Sequence, residues 1–363
     1  MIGKFEAIII TADEPYQGMS HTQVLYANYL SQFVPVLYIQ APKQWRPWNI
    51  LSAFSNPVKQ TETLSVLSYT NALPASLKGA LRINESINAQ QVKKWLRQGA
   101  YKNVLIWHFD SYRSVLHAKS ITKNFSVNHV YHVIDPYYKN PVDPILRELA
   151  KVVVVTSPRN NTFYENVTNK LINIPQCIDV AKEQSYLVAA PEQVVNEKDY
   201  LVLLGTISDD SAIHLLHKLA EAGHKLVIIG KLIPMKSKKK DFDQLLQKSN
   251  VEYLGFLPPQ KFYPILQGAK AGIIAYDLSV RYRNFSPLKA INYLIAGLPV
   301  ISNCDTELPA LKNKAVFEVS GDEDFLRICS SSDAITNFQT DTVDRYLQEI
   351  SLENAVKQIV KML

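Results

Sequence analysis

The stretch that decides the fold class is Arg281-Tyr-Arg-Asn-Phe-Ser-Pro-Leu-Lys-Ala-Ile-Asn-Tyr-Leu-Ile-Ala-Gly-Leu-Pro-Val-Ile-Ser302. Ser286 is a favoured helix cap, and Pro287 follows at the first helical position, where proline is common. Gly297 stands at a position where helices often end, and an apolar run from Pro299 to Ser302 begins two residues later. The stretch therefore predicts a helix over 287–296 that leads directly into a buried strand.

Three basic side chains cluster at the start of this predicted helix. Lys289 lies in its first turn, and Arg281 and Arg283 precede it. Free amide groups and the helix dipole favour an anion at this position, and lysine and arginine add charge-assisted hydrogen bonds. The sequence predicts a diphosphate site here that needs no metal ion.

Outward from this stretch, short apolar runs alternate with helical segments along the whole chain. Runs without polar alternation indicate strands buried on both faces, and their alternation with helices indicates parallel βα units. The predicted strands are Ala7–Ile10, Val36–Ile39, Val104–Trp107, Val130–Val133, Val152–Thr156, Leu171–Ile174, Leu201–Leu204, Leu226–Ile229, Val251–Leu254, Gly272–Ala275, Pro299–Ser302 and Ala315–Val319. The pattern predicts two doubly wound α/β domains, with a boundary in the polar stretch 176–199.

Three glycines close apolar runs at intervals of 25 residues: Gly205, Gly230 and Gly255. This interval is the length of one strand–loop–helix unit of a Rossmann-like domain. Glycine lets the backbone turn sharply and approach a ligand, and ligands of open α/β sheets bind at the carboxyl ends of the strands. The glycines are therefore expected at the edge of a ligand site.

Composition bounds the class of protein. The chain has 363 residues, 47% of them hydrophobic, and a net charge of +6, which suits anionic ligands but is too small to indicate a nucleic-acid-binding protein. Cys177, Cys304 and Cys329 lie far apart, which favours a reducing compartment, and every apolar run is too short to cross a bilayer. We expect a cytoplasmic protein.

The irregular stretch from 40 to 87 contains Lys43, Trp45, Arg46 and Trp48. Basic and aromatic side chains of this kind are typical of segments that contact a membrane interface, and a packed loop with surface lysines is the alternative. The expected location therefore extends to the inner face of the cytoplasmic membrane.

The stretch 281–302 resembles the nucleotide-sugar-binding motif of GT-B-fold glycosyltransferases, in which a Pro-Leu-Lys helix runs into Tyr-Leu-Ala-Xaa-Gly-Xaa-Pro-Val. Leu203–Ser208 is similar to the first loop of that family's nucleotide domain, and Asn250–Pro258 to its Leu-Gly turn, whose backbone meets the nucleobase. Val130–Pro136 and Val153–Ser157 are similar to the end of its acceptor domain. The chain is most similar to bacterial enzymes (glycosyltransferase group 1, family 4-like) that build surface polysaccharides.

The resemblance implies a GT-B fold, an α/β architecture of two Rossmann-like, doubly wound domains that face each other across a cleft. Residues 1–180 would form the acceptor-side domain and 181–350 the nucleotide-sugar-binding domain. The last helix, in 351–363, would pack back on the first domain.

The resemblance also implies which residues hold the donor. Five residues would contact the diphosphate, two residues the base and one residue the ribose. The other residues of the set would complete the loops around them. The donor-binding set is Gly205, Thr206, Lys231, Phe256, Leu257, Arg283, Asn284, Ser286, Pro287, Leu288, Lys289 and Asn292. Phe256 and Leu257 are assigned to the base, Asn292 to the ribose, and Thr206, Lys231, Arg283, Ser286 and Lys289 to the diphosphate.

Two positions depart from the family pattern. Many retaining members carry two glutamates eight positions apart, and the corresponding residues here are Asn284 and Asn292. The second glutamate usually holds the ribose hydroxyls. Asn292 can hydrogen-bond a hydroxyl, but without charge and with a shorter reach.

Candidate catalytic residues follow strands of the first domain. His108 and Asp110 follow Val104–Trp107, and Asp135 follows Val130–Ile134. An inverting enzyme needs a general base near the acceptor hydroxyl, whereas in a retaining enzyme His108 would donate a hydrogen bond to the sugar. His21, at the start of a predicted helix, is a candidate for the acceptor side.

The sequence thus predicts a metal-independent, hexosyltransferase-type glycosyltransferase without a cofactor. It would move a sugar from a UDP- or GDP-linked donor to a hydroxyl of a glycan or lipid-linked acceptor in polysaccharide synthesis. The alternatives are a GT-B sugar-nucleotide epimerase and a non-catalytic scaffold that binds nucleotide or glycan.

Overall fold

The computed structural model describes residues 2–16, 22–111, 121–134, 142–165, 170–188, 199–278 and 288–363. The chain divides into two compact units. The first unit comprises Met1–Ile178 together with Leu352–Leu363, and the second comprises Asp179–Ser351. In the described part of the chain, no helix is both long enough and apolar enough to cross a membrane.

The first unit is built on an eight-stranded sheet with the order β3-β4-β2-β1-β5-β6-β7-β8. Neighbouring strands pair in parallel, except that β3 is antiparallel to β4. Alternate residues of β1 enter two different apolar clusters, one on each face of the sheet. The strands are β1 (Ala7–Thr11), β2 (Val36–Ile39), β3 (Val58–Lys59), β4 (Leu64–Leu67), β5 (Asn103–His108), β6 (Ser126–Val133), β7 (Val152–Val155) and β8 (Lys170–Asn173).

In the described ranges, α-helices follow four strands of this unit, β1, β4, β6 and β7, as in βα units. They are α1 (Thr22–Leu30), α2 (Ala80–Gln98), α3 (Asp143–Leu149) and α4 (Asn161–Tyr164). Short 3-10 helices cover Ile2–Lys4, Pro47–Phe54 and Pro158–Asn160.

The second unit has a six-stranded, fully parallel sheet with the order β11-β10-β9-β12-β13-β14. Numbered within the unit, this order is 3-2-1-4-5-6, the order of the Rossmann fold. The strands are β9 (Tyr200–Leu204), β10 (Lys225–Ile229), β11 (Val251–Gly255), β12 (Ala271–Ile274), β13 (Val300–Ser302) and β14 (Val316–Glu318). The helices are α5 (Val180–Val188), α6 (Ile213–Glu221), α7 (Lys239–Leu245), α8 (Pro259–Gln267), α9 (Leu288–Ile295), α10 (Asp322–Ser330), α11 (Asp333–Thr336) and α12 (Thr340–Glu349), with a 3-10 turn at Pro309–Leu311.

The last helix, α13 (Leu352–Lys361), belongs to the first unit. Leu352, Val356 and Ile359 are buried in the same apolar cluster as Leu25 and Leu30 of α1. The apolar face of α13 therefore completes one side of the first sheet.

The structure confirms the doubly wound α/β class and contains each predicted strand, with small shifts at most of their ends. Two strands of the first unit were not predicted. β3 has two residues, both exposed, and β4 has four residues inside the stretch that the sequence marks as irregular. The helix α5 was not predicted either, and it lies in the polar stretch 176–199, where the domain boundary was expected.

Candidate functional site

The centre of the second sheet contains its topological switch point. β9 and β12 are neighbours, but the chain continues from β9 towards β10 on one side and from β12 towards β13 on the other. Because the loops after the two strands diverge, a crevice opens at their carboxyl ends, where ligands of open α/β sheets bind. Gly205 follows β9 and Tyr276 follows β12, so both lie at this crevice.

The backbone at the edge of the crevice requires glycine. Gly205 has φ +123° and Gly230 has φ +154°. The Gly205 N–H donates to the Ile229 carbonyl at 2.8 Å, and a Cβ at Gly230 would lie 1.7 Å from the Gly205 carbonyl oxygen. Any side chain at Gly230 would therefore displace the loop after β9. At Gly255 only the φ of +68° favours glycine, since a Cβ there would meet open space.

The Lys289 side chain lies across the crevice. It comes from the second described residue of α9, and a Cβ at Gly205 would lie 3.0 Å from its Cε and Nζ atoms. The Nζ atom stands 4.4 Å from the centroid of the Tyr276 ring, a cation–π contact. No carboxylate among the described residues forms an ion pair with Lys289. The ammonium is thus held at the crevice with its charge available to an anion.

Hydrogen bonds fix the loops that bound the crevice. Asn303, directly after β13, accepts from the Tyr276 N–H at 2.9 Å and donates to the Tyr276 carbonyl at 2.7 Å. The loop after β9 is tied to the same segment, because the Ala212 N–H donates to the Ala275 carbonyl at 3.1 Å. The residues around the switch point are therefore held in place by the protein itself.

Tyr293 supports the crevice from below. Its fully buried hydroxyl accepts from the Leu204 N–H at 2.6 Å and donates to the Ile273 carbonyl at 3.1 Å. Its ring occupies the space over Gly272, where a Cβ would lie 2.2 Å from the ring carbon Cγ. Tyr293 therefore links α9 to β9 and β12 and fixes the helix that carries Lys289.

Asn292, one residue earlier on α9, contacts a second tyrosine. Its side-chain oxygen lies 3.3 Å from the hydroxyl of Tyr263, on α8. The carboxyl of Glu183, on α5, lies near that hydroxyl, and the Glu183 residue is only 5% exposed. Burial raises the pKa of Glu183, and burial and the nearby Glu183 raise the pKa of Tyr263.

The other described donor-site residues lie on the loops at the same edge of the sheet. Thr206 and Lys231 are exposed and follow the glycines that end β9 and β10. Phe256, 53% exposed, and Leu257 follow β11, two strands from β9. Leu288 is half-buried at the first described position of α9. The structure brings Lys289 and Gly205 together, while the ligand roles of the whole set stay predictions.

The first unit places His108 and Asp110 in its interior. His108 is the last residue of β5 and only 1% exposed; its Nε2 lies 3.0 Å from His129 Nδ1, and its Nδ1 lies 3.4 Å from the Thr11 hydroxyl. Burial lowers the pKa of His108, and the pKa of His129 falls to about 4 for the same reason. The Asp110 residue is fully buried. We expected both at an open strand end, so the geometry favours a packing role for His108, and the catalytic roles stay predictions.

Seven predicted site residues lie outside the described part of the chain. They are His21, Asp135, Arg281, Arg283, Asn284, Ser286 and Pro287.

Sequence reasoning missed four residues that shape this region: Tyr276, Asn303, Tyr263 and Glu183. Tyr276 and Asn303 directly follow predicted strands, so the reasoning that selected Gly205 would have selected them too. Tyr263 and Glu183 gave no comparable signal, because both lie on helices distant in sequence from Asn292.

Two segments of the second unit have the pattern Asp-Xaa-Asp, Asp241–Asp243 and Asp322–Asp324, and both take part in surface ion pairs. Asp243 pairs with Lys239, Asp322 with Lys218 at 2.7 Å, and Asp324 with Arg327 at 3.0 Å. Within the described ranges, no group of three or more His, Cys, Asp and Glu side chains is arranged to hold a metal ion.

Comparison with solved structures shows the fold. Sucrose-phosphate synthase from Thermosynechococcus elongatus matches with a TM-score of 0.68 over 98% of both chains, at 13% identity. Anabaena HepE in complex with UDP and glucose matches with a TM-score of 0.67 over 98% of both chains, at 14% identity. The lipopolysaccharide outer core galactosyltransferase WaaB matches with a TM-score of 0.64 over 98% of both chains, at 11% identity. No family model and no curated protein matches the sequence. From the strand orders and these full-length matches, the chain has the GT-B fold, with two Rossmann-like domains.

Proposed function

We propose that the second unit binds a nucleotide-diphosphate sugar at its switch point and that the protein transfers the sugar to a hydroxyl of a glycan or lipid-linked acceptor. The observation that carries the proposal is the Lys289 ammonium, held over Gly205 with no carboxylate partner in the described part of the chain. A lysine at the carboxyl edge of a Rossmann-like sheet is suited to a phosphate, which it contacts as a point charge. UDP and glucose in the structure of HepE support the same ligand class.

Lys289 also suits the chemistry of transfer. When the bond between the sugar and the diphosphate breaks, negative charge grows on the leaving oxygen. An ammonium held in place before the reaction stabilises that charge without reorganisation. We propose that cations of the chain fill this role without a metal ion.

Titration calorimetry with UDP, GDP and their common hexose conjugates, each with and without Mg²⁺, tests the binding half of the proposal. We expect one nucleotide class to bind, with equal affinity in the presence and absence of Mg²⁺. Failure of all of them to bind would refute the donor site.

Release of nucleoside diphosphate tests the catalytic half. A transferase releases it faster when a glycan or lipid-linked acceptor is supplied, an epimerase releases it without an acceptor, and a scaffold does not release it. Acceptor-dependent release is the expected result.

We further propose that the first unit contacts an anionic membrane surface. The 3-10 helix Pro47–Phe54 exposes Trp48, Leu51 and Phe54 to 72%, 81% and 56%. The Arg46 guanidinium lies 5.6 Å from the centroid of the Trp48 ring. Residues 42–97 contain eight Lys and Arg and two Glu. Exposed aromatic and aliphatic side chains with an excess of cations are typical of interfacial binding.

The predicted membrane residues take different places in this segment. Lys43 and Arg46 are exposed, but the Trp45 indole N–H donates to the Ala72 carbonyl at 3.4 Å, so Trp45 packs against the protein. Trp48 and Leu51 are therefore the residues to test.

Sedimentation with phosphatidylcholine vesicles, with and without phosphatidylglycerol, tests the surface. We expect binding only to the anionic vesicles, and a loss of at least tenfold in the double variant Trp48→Ser, Leu51→Ser. Ile233→Ser, which removes an apolar side chain that is 43% exposed on the second unit, is the matched control. Equal binding by the double variant and the control would refute this surface.

A further inference from the structure

In the described part of the chain, the Lys289 ammonium faces a neutral aromatic ring and no carboxylate. The Nζ atom lies 4.4 Å from the centroid of the Tyr276 ring. A Cβ at Gly205 would lie 3.0 Å from both Cε and Nζ, so the glycine leaves the space that the end of the lysine fills. The ammonium is thus confined between the backbone after β9 and the ring after β12.

The protein holds the backbone of Tyr276 from two sides. The Asn303 side chain accepts from its N–H at 2.9 Å and donates to its carbonyl at 2.7 Å. The segment after β9 pairs with the same stretch, since the Asp277 N–H donates to the Asp210 carbonyl at 2.8 Å. The backbone that carries the ring is therefore fixed by contacts within the second unit.

A ring and a carboxylate would hold a lysine in different ways. A carboxylate neutralises the ammonium, so a phosphate would have to displace it. The face of an aromatic ring attracts a cation through its quadrupole and leaves the full positive charge in place. An ammonium has three N–H donors, so contact with the ring on one side leaves donors for a phosphate on another. The Tyr276 ring therefore restricts the ammonium without competing with an anion.

We propose that Tyr276 is a positioning residue, whose ring keeps the Lys289 ammonium in the rotamer that contacts the diphosphate. This inference rests on the proposed nucleotide site and deepens it. Lysine is among the side chains with the most rotamer freedom to lose when they are fixed. When only part of the protein population is competent to bind, the apparent affinity falls by that fraction. The ring thus strengthens binding through Lys289, because it raises the fraction of molecules whose ammonium is in place.

Two rings of nearly the same shape separate this electrostatic role from packing. Phenylalanine keeps the negative face of the ring, whereas the fluorine atoms of pentafluorophenylalanine withdraw that charge and reverse the quadrupole. The variants of the full chain are Tyr276→Phe and Tyr276→pentafluorophenylalanine, each alone and combined with Lys289→Met. Titration calorimetry with UDP and GDP measures the Kd of each variant and of wild type.

We expect Tyr276→Phe to bind the preferred nucleotide about as tightly as wild type. The pentafluorophenylalanine variant should bind it about two- to tenfold more weakly than Tyr276→Phe, which is the effect of losing one cation–π contact. With Lys289→Met in place the two rings should give equal affinity, because the cation on which the ring acts is gone.

Each outcome bears on a separate statement. If wild type binds neither UDP nor GDP, the proposed function fails, and the positioning role fails with it. If wild type binds and the two ring variants bind equally tightly, the nucleotide site stands and the role of Tyr276 is overturned, since a packing role alone predicts that equality. An equal loss from pentafluorophenylalanine with and without Lys289→Met would overturn it as well, because the effect would then not pass through the ammonium.

Discussion

Replacing Lys289 with methionine removes one positive charge from the crevice and keeps most of the side-chain length. Lys289 is half-buried, packs over Gly205 and holds its Nζ atom 4.4 Å from the centroid of the Tyr276 ring. Methionine fills the same space and still contacts the tyrosine. The variant therefore tests the charge with little change in packing.

The structure sets the size of the expected effect. A hydrogen bond between a charged donor and a phosphate contributes about 1.5–3 kcal/mol, so we expect the Kd for the nucleotide diphosphate to rise roughly tenfold to a hundredfold. The cation–π contact with Tyr276 contributes about 0.5–1 kcal/mol without ligand. Its loss lowers the Tm of the free protein by roughly 1–4 °C for a unit of this size.

Isothermal titration calorimetry at two ionic strengths measures the effect of Lys289→Met. Lys225→Met is the matched control, because Lys225 opens β10 at the opposite edge of the same sheet and pairs there with Asp199. Both variants change the net charge equally. Salt should reduce the difference between wild type and Lys289→Met, because it screens charges that water can reach.

Unchanged nucleotide affinity in Lys289→Met would refute the phosphate assignment. An equal loss of affinity in Lys225→Met would also refute it, because the effect would then come from net charge and not from the crevice.

Three further outcomes follow from the geometry. Gly230→Ala should lower the free energy of unfolding by more than ~3 kcal/mol, because its Cβ would lie 1.7 Å from a backbone oxygen. Gly255→Ala has open space around its Cβ and should lower the free energy of unfolding by about 1 kcal/mol. Urea denaturation compares the two variants. Tyr293→Phe leaves a buried backbone N–H without its acceptor and should cost about 1–3 kcal/mol, and an unchanged Tm would contradict this. Burial lowers the pKa of His129 to about 4 in the folded protein, whereas a histidine in the unfolded chain has a pKa of about 6.5. Below pH 6.5 the unfolded chain therefore binds more protons than the folded protein, and the free energy of unfolding should fall by about 2 kcal/mol between pH 7 and pH 5. The variant His129→Gln should reduce this loss.

The sequence predicts the sheets well because their strands are buried on both faces. Val152–Val155 is a continuous apolar run, and the structure buries every residue of it between the neighbouring strands β6 and β8. β3 shows the limit of this signal: Val58 and Lys59 are exposed and pair only with β4 at the edge. Their pairing depends on the neighbouring strand, which local composition does not specify.

The candidate site also contains contacts that the sequence predicts and contacts that it does not. Gly205 and Lys289 are 84 positions apart, yet both could be placed at one edge of the sheet, because a strand end and a helix start in a parallel α/β unit meet there. The hydrogen bond from Tyr263 to Asn292 joins two helices, and its distance depends on how those helices pack. For His108 the sequence predicted the position at a strand end correctly, but that position did not determine whether its ring would be buried.

The place of α13 has a consequence for synthesis and for experiments on fragments. The first unit needs α13 for its apolar core, but the whole second unit is translated between residue 178 and residue 352. At about 5–20 residues per second, the ribosome takes roughly 9–35 s to make this interval, during which one side of the first sheet lacks its cover. A fragment that stops before Leu352 would remove core from the amino-terminal half of the chain and leave the second unit whole. The second unit, Asp179–Ser351, is thus the better fragment to express alone.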